Sequence, residues 1–194
     1  MIIELIYISI YSYILGSIPF GLVLTKIFLK KDIRKIGSGN IGATNVLRMG
    51  SKFLGALTLL LDGLKAYISV TITLNFSPDY IYLSALLCFL GHIFPVWLKF
   101  NGGKGIAVYL GVLFAISLNL GFIFIITWII ILFASRYSSL SSIISSMIIF
   151  LYSLALNNLS ISLFFFIVFI IIIYTHKSNI LRIKDKTENK TNFW

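Results

Sequence analysis

Two uninterrupted apolar runs, "LGFIFIITWIIILFA" (120–134) and "LSISLFFFIVFIIIIY" (159–174), constrain this chain more than any other feature. In lipid every backbone N–H and C=O must be paired within the protein, which leaves helices or closed barrels. Neither run alternates polar and apolar residues as a barrel strand would. The fold class is therefore all-α, a polytopic integral membrane helical bundle. Mean hydropathy of +1.01 and a charged fraction of 11% agree, against the roughly 25% of an average soluble domain. The apolar N-terminus "MIIELIYISIYSYILGSIPF" carries Glu4 and no basic leader, so it reads as a retained span rather than a cleaved signal. Gly16, Ser17 and Pro19 are expected to kink that span.

Seven apolar stretches can be drawn: 2–24, 53–74, 80–97, 105–118, 121–134, 140–156 and 159–175. The basic residues between them are one-sided. Seven of the sixteen Lys and Arg lie in 25–52, two in 98–105, one in 135–141 and five in the tail from His176; the turns "NFSPD", "NLG" and "NNLS" have none. Seven spans with the N-terminus outside and the C-terminus cytosolic put every basic loop inside, as the positive-inside rule asks. The net charge of +10 then needs no nucleic acid. The two stretches within 105–134 rise only ~21 Å each, short of a ~30 Å core. One helix of 30 residues is the alternative there, and the count stands at five to seven. Charge parity favours a break at Asn119-Leu120-Gly121. No repeat or linker marks a second domain, so residues 1–194 are expected as one, with 176–194 a basic cytosolic tail on anionic lipid.

"GSGNIGATN" (37–45) imitates a dinucleotide fingerprint, with Gly37, Gly39 and Gly42 at G-x-G-x-x-G and Asp62 twenty residues on. The fingerprint needs a strand before it and a parallel sheet around it. Here "KKDIRKI" precedes it and Asp62 falls inside a span. The glycines, with Ser38, Asn40, Thr44 and Asn45 as polar groups and Arg34, Lys35 and Arg48 as cations, instead suit an anion-binding nest. The plainer reading is a polar turn, but that does not require so many donors together. A second turn on the same side, Gly102-Gly103-Lys104-Gly105, precedes an apolar helix. It is no Walker loop, because Leu98 replaces the first glycine. A lysine at a helix N-terminus favours phosphate; a snorkelling boundary residue is the plainer reading. His92 and His176 both lie near inner ends of spans, where ionisable groups are functional candidates. Asp62 and Lys65, at i and i+3, can pair and so lower the cost of burying either, which suits a supporting role. The single cysteine, Cys88, reads as packing.

The blocks "LGSIPFG" (15–21), "GSGNIGATNVLR" (37–48), "LDGLKA" (61–66), "GHIFPVWLKFNGGKGIA" (91–107) and "HKSNILRIKDKTENK" (176–190) resemble the bacterial membrane acyl-phosphate:glycerol-3-phosphate acyltransferases. The resemblance implies transfer of a fatty acyl group from acyl phosphate to the sn-1 hydroxyl of glycerol 3-phosphate. The products are 1-acylglycerol 3-phosphate (lysophosphatidic acid) and phosphate, in the first acylation of phospholipid synthesis. It implies a multi-pass protein of the bacterial inner membrane with its site at the cytosolic face, no cofactor, and membrane lipid and the enzyme that forms the acyl phosphate as partners. By resemblance Ser38, Arg48 and Lys104 bind phosphate. The Gly102, Gly103 and Gly105 turn shapes the glycerol-phosphate site, and His176 and Asn179 complete the centre, with Glu188 in support. The sequence departs from the family at Lys186, where a glycine is more usual before Thr-Glu, and at Asn101, where a basic or small residue is.

The chemistry suits the residues. Two phosphorylated substrates repel, and Arg48 and Lys104 supply screening charge. An acyl phosphate is already activated, so positioning and oxyanion stabilisation suffice. No Ser-His-Asp set or reactive cysteine is evident, which favours direct attack. His176 and a substrate phosphate oxygen are equal rivals as base. The acyl-CoA-type His-x4-Asp dyad is absent, with Trp97 and Leu181 where Asp would stand; six acids in all suggest no metal. The rival classes are a phosphorylated-solute transporter, which would place charges midway through several spans, and a non-catalytic scaffold, which leaves the glycine turns and histidines unexplained.

Overall fold

The computed structural model describes residues 2–191, and these form ten α-helices and no strand. Contacts divide the chain into two compact units, one running to Ile116 and the other from Ser117.

The first unit holds α1 (Ile2–Gly16), α2 (Phe20–Leu29), α3 (Ala43–Arg48), α4 (Lys52–Phe76), α5 (Ile81–Ile93) and α6 (Ile106–Ile116). The kink expected at Gly16–Pro19 is a complete interruption: α1 stops at Gly16 and α2 restarts after Pro19, which has no N–H to continue the ladder. Ser17 N still bonds Tyr13 O (2.9 Å), while its own carbonyl accepts from Trp97 Nε1 (2.6 Å). Helix α4 is long enough to cross a bilayer and packs against α1, α2, α3, α5 and α6. Ser51 caps its start, accepting from Leu54 N at 3.2 Å. Where α1, α4 and α5 meet, hydroxyls pair across helices: Ser12 Oγ with Ser84 Oγ at 2.9 Å, Ser69 Oγ with Ser84 Oγ at 3.1 Å, and Tyr11 with Thr73. Lipid offers no competing partner for such groups.

The second unit holds α7 (Leu118–Ser135), α8 (Ser138–Leu154), α9 (Leu159–Thr175) and α10 (Lys177–Lys184). Ser139, Ser141, Ser142, Ser145, Ser146 and Ser153 are all buried on α8, a small-residue helix that packs against α7 and α9. Trp128 Nε1 donates to Ser142 Oγ at 3.0 Å and Ser162 Oγ to Ser153 O at 3.0 Å. Asn158 caps α9, and α10 leaves it at His176 with a bend of 57°. Ile126, Ile130, Phe133 and Leu163 are exposed, as lipid-facing residues must be.

Each of the seven apolar stretches is mainly helical. Among the described residues four helical segments are long and apolar enough to cross a membrane, Ile2–Leu29, Lys52–Phe76, Pro78–Leu98 and Leu118–Ser135, and a fifth is counted when the bent α9–α10 pair is taken as one span. The 105–134 region does break, but at Ser117, in extended backbone, rather than at Asn119–Gly121. Ser117 sits at the N-cap position without a side-chain cap bond; its carbonyl accepts from Gly121 N at 3.2 Å, the first turn of α7. Asn119 and Gly121 then fall in the first turn of α7, where a poor helix former costs little. The shift gives α7 18 residues, ~27 Å, and leaves α6 with 11, ~17 Å.

Candidate functional site

The 30–48 segment begins where α2 ends on Lys30, in left-handed backbone (φ 53°). Asp32 then caps a short 3-10 turn, Ile33–Lys35, accepting from Arg34 N at 3.0 Å and clasping the Arg34 guanidinium at 2.6 Å. The hydrogen bond from Arg34 holds the Asp32 carboxyl well below the usual carboxylate range and raises Arg34 in turn. Arg34, read from sequence as a cation for the nest, is thus already neutralised by a partner two residues away. Ile33, Ile41 and Val46 anchor the segment in a buried cluster with Leu22, Leu24 and Leu54, worth about 2 kcal/mol for each side chain taken out of water.

Asn45 organises what lies between. Its Oδ1 accepts from Ser38 N at 3.0 Å, and its Nδ2 lies 2.8 Å from Asn40 O, 2.9 Å from Ile36 O and 3.3 Å from Ile33 O. Gly37 and Gly39 take left-handed φ of 60° and 70°, and a Cβ on Gly37 would strike the Asn45 amide. Gly39 N bonds Ile36 O, and Gly42 N bonds the Asn40 side chain at 2.8 Å. Several backbone donors expected to face an anion are therefore engaged in building the loop. What the loop presents outward is side chains: Ser38, Thr44 and Arg48 are exposed, and among the described residues no hydrogen bond holds the Ser38 hydroxyl or the Arg48 guanidinium. Of the two asparagines expected as ligands, Asn45 turns its whole amide to the loop itself and Asn40 uses its Oδ1 there.

The second turn is built against the end of α5. Gly102 N donates to Ile93 O (2.9 Å) and Gly103 N to His92 O (3.0 Å), so these two N–H groups cap α5. Gly103 is buried beneath the His92 imidazole, with which any Cβ would collide, and Gly105 turns into α6 at φ 85°. Lys104 sits between them, half-buried. Leu98, just before the turn, packs against the same apolar cluster that carries Ile33, Ile41 and Val46. Asp62 and Lys65 pair at 2.7 Å as their spacing allowed, and His92 joins them.

In the second unit His176 ends α9. Its Nδ1 lies 2.8 Å from Ile172 O. A carbonyl only accepts, so Nδ1 donates. Asn179 Nδ2 donates to Glu188 Oε1 at 2.6 Å; Ser139 Oγ donates to the same oxygen at 3.2 Å, and Arg182 Nε to Oε2 at 2.6 Å. Burial would raise the Glu188 carboxyl, but the bonds from Arg182, Asn179 and Ser139 outweigh it and hold it below its usual range. Asn179 and Glu188, both expected at the site, meet Ser139 and Arg182 here; nothing in the sequence ties residue 139 to residue 188. Lys186 adopts φ 57°, in the left-handed region that glycine enters more readily than a residue with a Cβ. Among the described residues no group of three His, Cys, Asp or Glu lies together as metal ligands would.

The model of the family described as "Glycerol-3-phosphate acyltransferase" matches residues 6–186. The chain belongs to the glycerol-3-phosphate acyltransferase family. The match runs through both glycine turns and into the segment that follows His176. The chain is 53% identical to a glycerol-3-phosphate acyltransferase of Pelagibacter ubique, over 98% of this chain and 100% of that one. It is 46% identical to one of Mesorhizobium japonicum, over 96% and 95%. Among solved structures it resembles PlsY (YgiH), an integral membrane glycerol 3-phosphate acyltransferase, crystallised in a glycerol 3-phosphate form. That likeness has a TM-score of 0.93 and 36% identity, over 97% of this chain and 96% of that one. A lysophosphatidic acid form of PlsY matches with a TM-score of 0.90. The family assignment makes this chain an acyltransferase acting on glycerol 3-phosphate, in keeping with its apolar helices.

Proposed function

We propose that the chain transfers a fatty acyl group from acyl phosphate to the sn-1 hydroxyl of glycerol 3-phosphate, forming 1-acylglycerol 3-phosphate and phosphate. One observation carries this reading: a chain similar to PlsY over nearly its whole length presents Ser38 and Arg48 outward, unengaged, from a loop that Asn45 braces from within. The glycerol hydroxyl attacks the acyl carbonyl carbon, the carbon–oxygen bond to phosphate breaks, and phosphate leaves with that electron pair. The hydroxyl proton passes to Nε2 of His176 or to a substrate phosphate oxygen. Arg48 and Lys104 neutralise the two phosphates, Ser38 donates to one of them, and Asn179, oriented by Glu188, completes the centre. Cys88 is buried in α5 and unsuited to an acyl-enzyme, so attack is direct.

A family match over residues 6–186, which reaches into both compact units, supports reading residues 1–194 as one acting domain. The basic loops support seven crossings with the N-terminus outside and the C-terminus and site at the cytosolic face of a bacterial inner membrane. There the fatty donor arrives through lipid from the enzyme that makes it, and the polar acceptor arrives from the cytosol.

Purified protein given acyl phosphate and glycerol 3-phosphate should release phosphate and form the lysophospholipid. Equal or faster turnover with acyl-CoA would overturn the donor assignment. Uptake of labelled glycerol phosphate into proteoliposomes, without product, would favour a transporter. Ser38→Ala, Arg48→Ala and Lys104→Ala should each cut turnover with expression intact; full activity in all three would refute the phosphate roles.

A further inference from the structure

Between the interruption of the first helix and the Gly102–Gly105 turn lies a buried ionic cluster that the reaction above does not use. Lys65 stands midway along α4, 4% exposed, beside Asp62 at 1% and His92 at 4%. An ammonium has three N–H groups and no acceptor. All three find partners on three different elements: Ile18 O at 2.6 Å, in the gap between α1 and α2; Asp62 Oδ1 at 2.7 Å, on α4; and His92 Nδ1 at 3.0 Å, at the end of α5. Since Lys65 only donates, Nδ1 of His92 accepts, and the neutral ring carries its proton on Nε2. In His176, by contrast, Nδ1 donates. The ring lies against Gly103 so closely that a Cβ there would meet Nε2. The backbone of the same residue holds the same turn, through Gly103 N to His92 O at 3.0 Å. Trp97 adds a second tie between these elements. It precedes the left-handed pair Lys99 and Phe100 that leads into the glycine turn, and it donates to Ser17 O, one residue from the Lys65 contact at Ile18.

We propose that Asp62, Lys65 and His92 are positioning residues. They lock the His92 ring over Gly103 and so set the Gly102–Gly105 turn, and Lys104 within it, for the phosphate of glycerol 3-phosphate, without touching that phosphate themselves. The inference rests on the proposed function, together with the family resemblance by which this turn shapes the glycerol-phosphate site. One carboxylate, one ammonium and one neutral imidazole sum to no net charge, so the cluster supplies geometry rather than attraction. A buried ion pair of this kind is poor evidence for stability but well suited to holding one arrangement among several.

The test is steady-state kinetics of the full-length protein in detergent or vesicles, with each substrate varied in turn. His92→Ala should raise the KM for glycerol 3-phosphate by about tenfold or more, the scale expected of a small misplacement at a binding group, while the KM for acyl phosphate stays within about twofold. Gly103→Ala should also raise it, because its Cβ meets the ring. The double variant His92→Ala/Gly103→Ala should be no worse than His92→Ala alone, since removing the ring makes room. Additive losses, or an unchanged KM for glycerol 3-phosphate in His92→Ala, would overturn the proposal. If single variants fail to fold, Asp62→Leu/Lys65→Met removes both charges together and keeps the volume; an unchanged KM for glycerol 3-phosphate there refutes the cluster's role. If wild-type protein makes no lysophospholipid, the proposed function itself has failed, and that result is distinct from either of these.

Discussion

Asn45→Ala tests the 37–45 loop directly. The side chain is 2% exposed, accepts one backbone bond from Ser38 and donates to carbonyls of Ile36, Asn40 and Ile33. An amide nitrogen has two hydrogens, so three bonds is a fair count, two of them donated. At about 1 kcal/mol net each, truncation costs the closed loop about 3 kcal/mol. That is roughly a 150-fold shift toward an open loop, since about 1.4 kcal/mol is tenfold. Because Ser38 hangs on this loop, kcat/KM for glycerol 3-phosphate should fall by up to that factor. Hydrogen exchange at the Ser38 and Gly39 amides should quicken together, while amides in the middle of α4 keep their protection. Asn45→Asp is the sharper control. It keeps an acceptor for Ser38 N but turns a carboxylate toward three carbonyls, so it should be no better than alanine. Near-native kcat/KM in Asn45→Asp would show that only the Ser38 bond matters, and near-native kcat/KM in Asn45→Ala would refute the bracing of the loop altogether.

Two further predictions concern the second unit. Glu188→Gln weakens the bonds to Arg182 and Asn179 and should lower Tm at pH 7. Because the folded-state pKa of Glu188 is depressed, its stabilisation is present above the ordinary carboxylate value of about 4.3 and is lost as pH falls through the lowered one. The Tm gap between wild type and variant should therefore close in acid, and a gap that stays constant or widens would contradict the assignment. Lys186→Gly relieves a left-handed residue, worth about 1 kcal/mol, against a similar entropic cost of glycine, so Tm should hold or rise slightly. A fall of more than about 4 °C would contradict that balance.

The apolar stretches were legible as helices because lipid permits little else, and a break within 105–134 was legible because charge parity across the basic loops asked for one, at Asn119–Gly121. The register of that break was not, since Ser117 and Asn119 are both acceptable starts and only the packed helix selects one. The glycine turns could be located from sequence, but their use could not. Gly103 is small because the His92 ring covers it, and that ring is fixed by Lys65, twenty-seven residues away. Asn45 looks like a ligand until its carbonyl partners are seen, and Arg34 looks free until Asp32 is. The requirement Glu188 places on Ser139 crosses forty-nine residues. Sequence alone determined what the solvent demands of each segment: helix, basic loop or turn. Only the tertiary structure decided which polar group satisfies which, because a hydrogen bond depends on distances of a few ångströms between segments whose separation along the chain says nothing about their approach in space.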